Sequence, residues 1–155
     1  MLWSMLTARR RLRAAWKGFA PRYKLKMSES RQSIMWAGKL DPFRPKILNQ
    51  VAYVARADYG KGIDILENAE SKINGKVVYC TNLPWQNAME TLNSSSVLAQ
   101  PSRMESLATT IKESFFLKVP VVATNVGGNP ELVQDNITGL LVPPDDPISL
   151  ANAIN

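Results

Sequence analysis

Short β-branched runs alternate with helix-spaced apolar stripes through most of this chain, and no other feature restricts its fold as much. Gln50 to Ala55, Lys76 to Cys80, residues 96–100, Val119 to Thr124 and Gly139 to Val142 each read as a strand. Ile63, Ile65, Leu66 and Ala69 form a helical stripe after the first run, and Pro84 opens a helix to about Leu92 after the second. Leu107, Ile111, Phe115 and Phe116 give another after the third, and Pro130 to Val133 a short helix after the fourth. Breaks fall between them at Asp58-Tyr59-Gly60, Asn93-Ser94-Ser95, Pro101-Ser102, Gly127-Gly128 and Pro143-Pro144. Asp146 caps, and Pro147 opens, a last helix to Asn155. Strand, helix and strand in this order pair in parallel through right-handed crossovers. The expected fold is α/β: a Rossmann-like parallel sheet with helices on both faces.

Ligands of such sheets bind beyond the C-terminal strand ends. Arg56 follows the first strand and Lys61 opens the helix after it, which is where a diphosphate would sit; the bland alternative is a surface pair on a turn. Glu105 and Glu113 are separated by eight positions, about 2.2 turns and about 12 Å along one helix face. That is too far for a hydrolytic carboxylate pair, which needs roughly 5–9.5 Å. It suits two hydroxyl-bearing ends of one extended ligand, or two solvated surface glutamates. Gly127-Gly128 lets the backbone approach a ligand closely. Trp85 reads as a packing residue and not as a ligand platform.

Ser102-Arg103-Met104-Glu105, then Glu113, then Pro120 through Glu131 and Thr138 through Pro144 together resemble the donor-binding half of glycosyltransferase family 4. These are retaining, nucleotide-sugar-dependent enzymes of GT-B architecture. The likeness runs from about Asp41 to the C-terminus with its motifs in order. It departs at Ser106-Leu107-Ala108, where the family has Gly or Pro. Gly38 to Pro45 resembles, in part, the turn by which the family's chain enters its C-terminal domain.

The resemblance implies Arg56, Lys61 and Glu105 as catalytic residues, the two cations neutralising the diphosphate and Glu105 touching sugar hydroxyls. Glu113 would bind the ribose. Backbone N–H groups of Ser106, Leu107 and Ala108, at a helix N-terminus, would meet the diphosphate or sugar, and Gly127 and Gly128 would complete the substrate site. The cations would stabilise the leaving group without a metal, so no cofactor is expected beyond the nucleotide diphosphate sugar itself. Most relatives carry a further strand–helix unit for which only Ser71 to Gly75 remain, implying a compact variant. The acceptor would be held by an N-terminal domain or a second subunit, and the chain alone is expected to be inactive. The rival is a non-catalytic nucleotide-binding or scaffolding module. A dehydrogenase is disfavoured, because no strand is followed by Gly-x-Gly-x-x-Gly.

Charge divides the chain. Residues 1–46 hold 12 Lys/Arg against two acids, and the other 7 Lys/Arg face 11 acids, so the net +6 comes from the N-terminal part. Leu2, Met5, Leu6, Leu12, Trp16 and Phe19 lie roughly on one face of a helix over 1–19, with Arg9, Arg10, Arg11, Arg13 and Lys17 between them. This basic amphipathic helix and its linker are expected over 1–32, ahead of the domain at 33–155. The helix would lie on an anionic membrane surface, pack on a partner, or cap the domain. No nucleic-acid partner is expected. The lone Cys80 excludes an internal disulfide and suits a cytoplasmic setting, peripheral to the membrane if the helix binds one. With no histidine there is no imidazole base.

Overall fold

The computed structural model describes residues 39–155; the helix, linker and domain start expected within 1–38 lie outside the described residues. Five segments pair in parallel: β1 (Gln50–Val54), β2 (Lys76–Cys80), β3 (Val97–Gln100), β4 (Val121–Thr124) and β5 (Leu140–Val142), in the order β2-β1-β3-β4-β5. The helices α1 (Ile63–Glu70), α2 (Trp85–Ser94), α3 (Thr109–Phe116), α4 (Asn129–Leu132) and α5 (Pro147–Ile154) follow the strands in turn. This is the α/β, Rossmann-like parallel sheet the alternation predicts.

Side-chain alternation along each strand splits the core in two. Val51, Tyr53, Val77, Ala99 and Val122 meet Ile65, Leu66 and Ala69 of α1 and Leu150 of α5 on one face. Ala52, Cys80, Leu98, Val121 and Ala123 meet α2, α3 and the end of α4 on the other. Cys80 is buried there, and burial pushes its thiol above the ordinary range.

β2 pairs directly with β1, from Gln50 opposite Lys76 to Val54 opposite Cys80. Ser71 to Gly75 thus join α1 to β2 with no intervening unit, as the compact reading requires. Two boundaries move. α2 continues through Asn93 and Ser94, because the Ser94 and Ser95 hydroxyls donate to the Thr91 carbonyl at 2.9 and 2.7 Å. The Lys46 ammonium also donates to the Asn93 and Leu117 carbonyls, tying the C-terminal ends of α2 and α3 together. α3 begins later than its apolar spacing suggests. Leu107 and Phe116 are each 41% exposed, and the buried stripe is Ala108, Ile111 and Phe115.

Candidate functional site

The order β2-β1-β3-β4-β5 reverses direction between β1 and β3: the chain leaves β1 towards β2, then crosses to add β3 on the far side. Such a switch point leaves a crevice beyond the C-terminal strand ends. The loops after β1 and β3 meet there. Lys61, closing the 3₁₀ turn after β1, places its ammonium 2.8 Å from Oε2 of Glu105 in the loop after β3. Their side chains are 23% and 9% exposed, so the pair is mostly enclosed but reaches solvent. The same Oε2 lies 3.4 Å from the Ser102 hydroxyl and 3.5 Å from the Gln100 amide. Oε1 of Glu105 makes no hydrogen bond among the described residues. Arg56 stands at the end of β1 with its side chain 83% exposed, and its ion pair to Asp58 is long at 3.5 Å.

Tyr53 fixes the loop that carries both cations. Its buried hydroxyl donates towards the carbonyls of Arg56, at 3.1 Å, and Lys61, at 3.4 Å. Burial, with Asp58, Asp64 and Glu67 nearby, raises the phenol well above its ordinary value, so it stays a donor. Asp58 caps the 3₁₀ turn through Lys61 N–H. Gly62 then takes φ +65 and packs against the Pro101 carbonyl, where a Cβ would overlap it.

Backbone holds the β3 loop on both sides. Arg103 N–H donates to Gly60 O at 2.9 Å, and Gly128 N–H donates to Glu105 O at 3.1 Å. Gly127, at φ +50, faces the Glu105 carbonyl and Gly128 the Ser106 carbonyl, each too close for a side chain. The two glycines thus serve the approach of one loop to another. Arg103 adds the strongest side-chain tie. Its guanidinium binds both oxygens of Asp64 at 2.8 and 2.7 Å, Asp145 at 2.6 Å and the Tyr59 carbonyl at 2.9 Å, and lies over the Tyr59 ring. Those bonds hold the Asp64 carboxyl below its usual range and the guanidinium above its own.

Glu105, Ser106 and Leu107 are not helical, which corrects the expectation that Glu105 and Glu113 share a helix face. Ala108 precedes the first turn with no side chain to cap it, and the loop follows the glycine contacts instead. Of the three backbone donors expected at a helix N-terminus, only Ala108 is adjacent to it. Glu113 lies inside α3 and is 3% exposed, so the solvated-surface alternative fails. Its Oε1 accepts from the Trp85 indole N–H at 3.1 Å. Asn129, fully buried at the start of α4, donates to the Thr124 carbonyl, while its Oδ1 has no partner among the described residues. No cluster of three or more Cys, Asp or Glu suited to a metal occurs among the described residues, and none of their helices is long and apolar enough to cross a membrane.

Residues 26–155 match the family model described as glycosyl transferases group 1. The chain belongs to this family. Among group 1 glycosyl transferases and their relatives, the D-inositol 3-phosphate glycosyltransferase of Saccharomonospora viridis is 39% identical over 75 residues, 46% of this chain and 17% of that protein. Anabaena Alr3699/HepE, solved with UDP-glucose, superposes with a TM-score of 0.62 at 21% identity, over 86% of this chain and 43% of that one. The sucrose-phosphate synthase of Thermosynechococcus elongatus gives 0.62 at 26% identity, over 81% and 38%. This group 1 glycosyl transferase chain therefore spans less than half the length of these proteins. Its sequence pointed to Arg56, Lys61, Glu105, Glu113 and the glycine pair. It did not reveal Tyr53, Arg103 or the hydrogen bond of Trp85. Tyr53 leaves a trace as an inward tyrosine on a strand ending at the ligand edge, and Arg103 only as a member of the Ser102-Arg103-Met104-Glu105 motif, without its ion pairs.

Proposed function

We propose that this domain binds the donor, a nucleotide diphosphate sugar, for a retaining glycosyl transfer. The observation that carries the reading is the Lys61–Glu105 pair at the β1/β3 switch point, with Glu105 Oε1 left without a hydrogen bond among the described residues and Arg56 exposed beside it. Lys61 and Arg56 face the diphosphate and stabilise the charge it gains as the leaving group, without a metal. Glu105 accepts from the sugar hydroxyls, and holding Lys61 meanwhile fixes the ammonium in place. Glu113 accepts from the ribose, and the loop backbone of Ser106 to Ala108, of which only Ala108 adjoins the helix start, meets the diphosphate or sugar. UDP and UDP-glucose are bound in solved Alr3699/HepE structures, which supports a uridine donor. The acceptor would come from an N-terminal domain or subunit facing this crevice, at the cytoplasmic side of a membrane if the basic N-terminal segment binds one.

Calorimetry with UDP and UDP-glucose, chelator present, tests this. The chain should bind UDP, and Lys61→Ala should weaken it roughly tenfold, the worth of about one charged hydrogen bond. Glu105→Gln should weaken UDP-glucose more than UDP, because it loses the sugar contact in addition to its hold on Lys61. Absence of heat with both ligands at millimolar concentration rejects the donor-domain reading.

A further inference from the structure

The geometry points to Trp85 as the residue that positions Glu113 for the nucleoside ribose. This rests on the donor-binding reading above. Trp85 opens α2 just after the loop that leaves β2, and β2 lies directly against β1. The first turn of α2 therefore starts at the same C-terminal sheet edge as Arg56 and Lys61. The indole packs on the core cluster shared by α2 and α3, and its N–H reaches Glu113 Oε1 at 3.1 Å. An indole N–H only donates, so it serves an acceptor and nothing else. Glu113 is 3% exposed, and a polar group so enclosed depends on donors aimed at it to offset its burial and hold one rotamer. A carboxylate offers about four lone-pair positions. The indole occupies one of them and turns the group.

Trp85 thus acts through Glu113, and its effect should appear only with ligands that carry ribose hydroxyls. The test measures, by calorimetry on the full 155-residue chain, the affinity for UDP and for 2′,3′-dideoxy-UDP. The unmodified chain should prefer UDP by about tenfold, the worth of a charged hydrogen bond. Trp85→Phe keeps an aromatic ring in the core but removes the donor, and should bring that preference below about threefold while dideoxy-UDP binds as before. Glu113→Gln should abolish the preference, and adding Trp85→Phe to it should change nothing more.

A second readout needs no Trp85 variant. In the unmodified chain, one indole N–H resonance should move with UDP but not with dideoxy-UDP, and Glu113→Gln should shift the same resonance. A chain that binds UDP and dideoxy-UDP equally, or neither, overturns the ribose reading and this assignment with it. If the Trp85→Phe variant discriminates as strongly as the unmodified chain, or if every indole resonance ignores UDP, the Trp85 assignment alone is overturned.

Discussion

Gly127→Ala should do more damage than its one methyl group suggests. Gly127 holds φ +50, a left-handed conformation that costs an alanine about 1–2 kcal/mol. Its Cβ would also point at the Glu105 carbonyl oxygen, inside the 3.0 Å that real Cβ atoms respect. The obstacle is backbone, and the Gly128 N–H to Glu105 O bond at 3.1 Å holds it in place, so the loops must separate. Overpacking of this kind costs roughly 1–3 kcal/mol, giving a loss of about 2–5 kcal/mol with the conformational cost. Thermal unfolding should show a melting temperature lower by on the order of 10 °C. UDP-glucose binding by whatever remains folded should weaken, because Glu105 moves with the loop. Gly60→Ala is the control: its Cβ would meet only the Asp58 side chain at 3.3 Å and the far end of Met104 at 3.7 Å, and it should lower the melting point far less. Equal melting points for the two variants would show that the loops are not wedged together at Gly127.

Tyr53→Phe removes the hydroxyl beneath both cations and should cost about 1 kcal/mol of stability and weaken UDP about threefold by calorimetry, whereas Tyr79→Phe, whose hydroxyl bonds Glu70 at 2.9 Å, should leave UDP affinity unchanged. Asp146 accepts from Ile148 and Ser149 N–H and from the Ser149 hydroxyl, bonds that hold its carboxyl below the ordinary range. Because its folded value lies below its unfolded one, its contribution is present above about pH 4 and fades as pH falls through the folded value. Asp146→Ala should lower the melting temperature at pH 7, with the difference shrinking at pH 3 and below.

Elements with their own local signals were legible in the sequence. The strands show β-branched runs, α1 is announced by Asp58 and Gly62, and α5 by Asp146 and Pro147. The start of α3 was not, because the spacing of Leu107 imitates a helical stripe while Gly127 and Gly128, some twenty residues on, hold that backbone in a loop. Tertiary contact overrode local periodicity there. The place of Arg56 and Lys61 at the sheet edge was legible because the C-terminal end of a strand can be read from the sequence alone. Arg103 joins Asp64 and Asp145 across 39 and 42 positions, and Trp85 reaches Glu113 across 28. Neither pairing leaves a trace in spacing; both follow from which helix lies on which sheet face. Spacing alone left Glu113 either a ligand contact or half of a solvated surface pair; its burial in α3 removes the second alternative.

Following backbone amide resonances during a UDP titration tests the central claim most directly, since it reports where the nucleotide sits. If the diphosphate binds at the β1/β3 switch point, the perturbed amides should be those of residues 55–62, 102–108 and 125–129, with chelator present throughout. Perturbations at the opposite end of the sheet, around the cavity lined by Asn49, Asn74 and Ser96, or none at all, would contradict it.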